Sequence, residues 1–281
     1  MNAESLPDMD QRDLGQKFAN AKLTSISVGS GKGLVGTVAV DNLRALIGAQ
    51  PGLEEFISYN HNDCANSFDF ATIVGDVPLQ EGFQPSLRTL HGANLKIAPS
   101  PNVLKCLANL TSLCISNLLP DHDALWPAFH ESDITLRTLV IEKPTERLTD
   151  YLTGYRGLEN LVITRQGSGT RVEVTDNTKH RFLEEGIAHH SNSLSTLQIS
   201  FDPYLYAHFL LWGLDERQLA WLEGFPKLEV LTVPFVHDAA RVPKGTKISM
   251  VRRQHQYPVP RLIPPSFDFT RRTLSTGFSP D

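Results

Sequence analysis

Cysteine is scarce in this chain of 281 residues: three in all, at Cys64, Cys106 and Cys114. An odd count so low excludes a disulfide framework, and no two of them stand in a C-x-x-C pair, so a structural zinc site has no support. Long apolar runs are also missing. The longest, Tyr204 to Trp212, falls far short of the roughly 18 residues that a bilayer-spanning helix requires. The first 20 residues are polar and acidic, unlike a secretory signal, so a reducing compartment, cytosol or nucleus, is expected. A basic body is lacking as well. The net charge is -5, yet the stretch from Pro234 to Asp281 carries eight Lys/Arg against three Asp, leaving the remainder strongly acidic. Phosphate neutralisation needs a basic face, so a nucleic-acid groove is not expected.

Leucine, by contrast, is abundant: 37 residues. The pattern L-x-x-L-x-(Leu/Ile/Val) occurs at Leu110-Leu113-Ile115, Leu136-Leu139-Ile141, Leu158-Leu161-Ile163, Leu194-Leu197-Ile199 and Leu228-Leu231-Val233. Looser copies stand at Leu23-Ile26-Val28, Leu53-Phe56-Ser58 and Leu87-Leu90-Gly92. The spacing between first positions runs from 22 residues (Leu136 to Leu158) to 36 (Leu158 to Leu194). The second and third apolar positions lie two apart and so share one face of a strand. One such strand cannot bury that face alone, and stacked units share a continuous core. Helices fill the intervals. Asp215, with Gln218 three residues on, predicts a capped helix carrying Leu219, Leu222 and Phe225 on its buried side. Asp41 predicts a second cap before Leu43, Leu46 and Ile47. Arg147–Tyr155 and Lys179–His190 also read as helices, and His189-His190 reads as a cationic helix end. The expected architecture is an α/β solenoid of about eight repeats, a horseshoe with a parallel concave sheet and a helical convex side.

Phrases such as "PGLEEFIS", "RGLENLVI", "NSLSTLQI" and "PKLEVLTV" resemble the leucine-rich-repeat family over residues 23–235, and in particular the repeat half of fungal F-box/leucine-rich-repeat proteins. The resemblance implies a substrate-recognition role beside a cullin ubiquitin-ligase adaptor. The F-box itself does not read in residues 1–22, where Leu14 and Phe18 instead suggest a cap helix over Asp13–Asn20. Residues 236–281 read as a C-terminal cap, with Ile248–Val251 as a further edge strand, followed by a basic, proline-rich tail.

Three features bear on chemistry. Gly31 to Gly36 matches G-x-G-x-x-G after a strand, but Thr37-Val38-Ala39-Val40 is expected to separate it from the helix at Asp41, and a dinucleotide turn needs the helix at once. The ten histidines and the pairs Glu54-Glu55 and Glu184-Glu185 form no recognisable catalytic or metal set, and no cofactor is expected. Phe201 to Trp212 carries aromatics suited to a buried helix or an apolar ridge. The remaining candidate is the face of the strands opposite the leucines, represented by Tyr59, His91, Thr138, Val140, Glu142, Asn160, Val162 and Gln198. This pattern points to a non-catalytic scaffold for an unidentified protein partner. The alternatives are a nucleotide-dependent enzyme using residues 29–36, or an orphan repeat protein with no ligase role.

Overall fold

The computed structural model describes residues 23–29, 37–48, 50, 52–59, 68–74, 86–93, 95–116, 123–165, 176–201 and 214–233. The chain divides into two units, Met1–His237 and Asp238–Asp281, and every described residue belongs to the first. The expected N-terminal cap helix, the edge strand at Ile248–Val251, the basic tail, the aromatic stretch after Phe201 and the glycines of the G-x-G-x-x-G match lie outside the described residues.

In chain order the elements are β1 (Ser25–Gly29), α1 (Thr37–Gly48), β2 (Glu55–Tyr59), β3 (Phe68–Asp69), α2 (Phe70–Val74), β4 (Thr89–Ala93) and β5 (Leu95–Lys96). Then come α3 (Pro101–Cys106), β6 (Ser112–Ser116), α4 (Leu125–Glu131), β7 (Thr138–Ile141), α5 (Glu146–Thr153) and β8 (Asn160–Arg165). Last are α6 (Asp176–Arg181), a π-helical turn at Phe182–Gly186, a 3-10 turn at Ile187–His190, β9 (Thr196–Phe201), α7 (Glu216–Leu222) and β10 (Val230–Thr232). Eight strands form one parallel sheet in the order β1-β2-β4-β6-β7-β8-β9-β10, while β3 and β5 form a separate parallel pair. This is an open α/β architecture whose strand order follows the chain. Among the described residues no helix is long and apolar enough to cross a membrane.

The leucine pattern accounts for the register. Ile26, Phe56, Leu90, Leu113, Leu139, Leu161, Leu197 and Leu231 stand side by side across the sheet. All but the last are buried, six of them with no exposure at all. The first leucine of each copy lies two residues before its strand and sinks into the same core, fully at Leu158 and Leu194 and partly at Leu23 and Leu228. The residue after that leucine does a separate job with its main chain. The carbonyls of Thr24, Glu54, Arg88, Thr111, Arg137, Glu159 and Ser195 each accept two successive N–H groups from the start of the next strand, all at 2.8–3.0 Å. Every seam of the sheet thus closes with the same two bonds, whatever the side chains around it.

Helices supply the opposite wall of the core. Thr145 caps α5, its hydroxyl accepting from the Leu148 N–H at 3.2 Å. Leu148, Tyr151 and Leu152 turn inward while Glu146, Arg147 and Asp150 face water, the one-sided pattern of a surface helix. On α4, Trp126 and Phe129 meet Tyr151, with ring centroids 5.7 and 6.1 Å from it. The capping box at Asp215 forms as the sequence suggests: its carboxylate accepts from the Gln218 N–H at 2.8 Å and Gln218 Oε1 accepts from the Asp215 N–H at 3.2 Å.

Two local expectations are corrected. Asp41 does not start a helix; α1 begins at Thr37, and Asp41 sits within it, paired with Arg44 at 2.9 Å. The run Thr37-Val38-Ala39-Val40 is rich in β-branched residues of weak helix propensity, yet it is helical, and Val40 packs partly buried against the core. The helix predicted at Lys179–His190 is real in extent, but passes from α to π to 3-10 geometry. Gly92, at the third position of its copy, has a packing reason. A Cβ there would collide with the Leu95 side chain, whose Cδ2 would lie only 2.6 Å away. Leu95 is buried, as are Ile115, Ile141, Ile163 and Ile199 at the third position of later copies.

Candidate partner-binding face

Opposite the buried leucines, the outward residues form two rows in register. One row is Ser25, Glu55, Thr89, Ser112, Thr138, Asn160, Thr196 and Val230; the other is Ser27, Ile57, His91, Cys114, Val140, Val162, Gln198 and Thr232. The parallel sheet brings six of the eight sequence candidates into these rows: His91, Thr138, Val140, Asn160, Val162 and Gln198. Tyr59 lies at the end of β2, opposite Gly29 of β1. Glu142 follows β7 directly and is half-buried. Val162 retains only 9% exposure and so offers a partner little surface, whereas Val140 and Gln198 are half-buried.

Side chains in the first row bond to one another. Ser25 Oγ donates to the Glu55 carboxylate at 2.7 Å, and Asn160 Nδ2 donates to Thr138 Oγ1 at 3.3 Å. The second row is neutral and partly withdrawn from water. Burial lowers the pKa of His91 against the opposing pull of the Glu55 carboxylate. Burial also pushes the Cys114 thiol up to about 12, and Cys106 to about 11. A thiol that holds its proton so tightly is a poor nucleophile at neutral pH.

A further row was not read as part of this surface from the sequence. The residues whose carbonyls close the seams carry Glu54, Arg88, Arg137 and Glu159, and Arg137 reaches Glu159 at 3.5 Å. Both partners are largely exposed, so the pair adds little stability. The visible signal was the recurrence of charged residues one position after leading leucines, at Glu54, Arg88, Arg137 and Glu159.

Other candidates resolve differently. Glu184 and Glu185 are exposed, and pair with His180 at 3.1 Å and Arg181 at 3.2 Å. His190 is not the cationic helix end that the sequence suggests. It has no exposure, and burial is the main cause that lowers its pKa to about 4, so it is neutral near pH 7. Among the described residues no group of three or more His, Cys, Asp or Glu is placed to hold a metal ion.

The glycine-rich segment stands nearer a helix than its sequence suggests. Because α1 opens at Thr37, the helix does follow Gly36 at once, within a parallel β1-α1-β2 unit. The sheet as a whole argues the other way. Dinucleotides bind open α/β sheets where the strand order reverses, and among the described residues the order runs without reversal from β1 to β10. No protein-family model matches the sequence, and no curated protein matches it either.

Proposed function

We propose that this chain is a leucine-rich-repeat solenoid whose outward strand rows recognise a protein partner without catalysis. The observation that carries the reading is the combination of one buried leucine row, one repeated pair of main-chain bonds at every seam, and outward rows that are mostly uncharged apart from Glu55. A sheet held so uniformly presents those side chains in fixed rows, and a preorganised surface loses little entropy on binding. The resemblance to fungal F-box/leucine-rich-repeat proteins makes a ubiquitin-ligase substrate the partner class to examine first, in cytosol or nucleus.

Photo-crosslinking in the native cell tests this directly. A photoreactive residue at Thr138 or Val140 is expected to yield discrete protein adducts, and one at the exposed helix position Arg147 none. Adducts confined to position 147 would reverse the assignment of the face. Co-purification of a cullin adaptor decides the ligase role separately.

A second reading, nucleotide binding by the glycine-rich segment, is favoured by the start of α1 at Thr37. Titration calorimetry with NAD and with ATP is expected to give no heat that Lys32→Ala removes; a Lys32-dependent signal would install the nucleotide reading in place of the scaffold.

A further inference from the structure

The segment between α6 and β9 is held to the rest of the core in an unusual way. Its π turn rides close over α5: a Cβ on Gly186 would stand 3.6 Å from Thr149 Cγ2 and 3.7 Å from Leu152 Cβ. The 3-10 turn that follows has poorer hydrogen-bond geometry than an α-helix and is used in short pieces. It ends on His190, whose ring packs on Tyr155 with centroids 4.8 Å apart. His190 Nδ1 accepts from the Leu158 N–H at 3.2 Å. Ser193 Oγ lies 2.8 Å from the Leu158 carbonyl and 3.1 Å from that of His190, its one proton shared between them. Leu158 is the leading leucine of β8, so both of its main-chain groups are gripped by the segment that leads into β9.

We propose that His190 is an acid-sensitive latch, holding residues 182–193 onto Leu158 while its ring is neutral and releasing them when it is protonated. The bond requires a free lone pair on Nδ1, which places the neutral ring's proton on Nε2. A second proton can enter only at Nδ1. There it would face the Leu158 N–H, two donors opposed, inside a site closed to water.

One neighbour favours the cation, the Leu152 backbone, but burial outweighs it. The titratable groups against the ring are Tyr155, kept protonated by its own burial, and His189, whose positive charge further disfavours a second one. Among the described residues no carboxylate acts on the ring to offset this. A His190 released into water regains a pKa of about 6.5, against about 4 when latched. Between those values the released form binds more protons, so the latch is fully held above about pH 6.5 and lost as pH falls through about 4. From pH 7 to pH 5 the released population should rise roughly 20-fold.

Amide hydrogen exchange on the full chain reads this, with rates corrected for the intrinsic effect of pH. Leu158 and residues 187–194 are expected to open roughly 20-fold more often at pH 5 than at pH 7, while β6 and β7 change little. His190→Asn places an acceptor oxygen near Nδ1 that does not titrate, and should keep Leu158 protected at both pH values. The imidazole nitrogen shifts of the wild-type chain give a reading independent of any variant, and should show the proton on Nε2 at pH 7. Unchanged protection of Leu158 at pH 5, the same pH response in His190→Asn, or a proton on Nδ1 at pH 7 would each overturn the latch.

Discussion

Trp126→Ala should lower the unfolding free energy by about 3–5 kcal/mol, the usual cost of deleting a large buried aromatic side chain. Trp126 is only 1% exposed. Its ring lies 6.3 Å from Phe129, nearly perpendicular to it, and 5.7 Å from Tyr151, so one α4 residue binds its own helix to α5. The aromatic contacts continue from Tyr151 to Tyr155 at 5.0 Å and from Tyr155 to His190 at 4.8 Å. Alanine would therefore open a cavity at the head of a line of rings and withdraw direct support from α5. Urea unfolding followed by far-ultraviolet circular dichroism measures the loss. A cost below about 0.5 kcal/mol, the range of surface substitutions, would show that the helices do not pack on this line.

The second large effect is a contrast between two leucines of the same register row. Leu139→Ala should cost about 2–5 kcal/mol and Leu231→Ala less than about 1. Both occupy the second position of their copies, yet Leu139 is completely buried and Leu231 is 42% exposed. The chemistry removed is identical, so the difference isolates burial. Strand β7 is flanked on both sides by β6 and β8, while β10 has one neighbouring strand among the described residues. Equal costs at the two positions would mean that Leu231 is covered in solution. The same urea titration serves both variants.

Much of this was legible in the sequence, and the reasons differ from element to element. The eight strands of the main sheet could be located from the leucine spacing, because a buried strand position tolerates few residue types and recurs at a fixed offset from its leading leucine. Phe56, Ser58 and Gly92 departed from the pattern but kept the register. The box at Asp215 was legible because both halves of it lie within four residues. The short helices α2, α3 and α4 were not, since five to seven residues give too few turns for a helical period to emerge. Asp41 misled because a good capping residue also pairs well inside a helix, three residues before Arg44. His190 misled because the sequence places it after helical residues and says nothing of the ring that lands on Tyr155. The outward rows could be named residue by residue, but the shallow exposure of Val162 and the Glu/Arg row beside them depend on how neighbouring strands are set together.

The paired bonds at each seam bear on how such a chain can change. Each needs only one carbonyl after a leading leucine and two successive amides at the next strand, and none of the three must belong to a particular side chain. Between Leu136 and Leu158 the connection is short; between Leu158 and Leu194 it is long enough to hold α6 and both irregular turns. The seams on either side are bonded alike. Length, in this protein, is a property of the connections alone, and a segment could be gained or lost there while the strands on both sides kept their places.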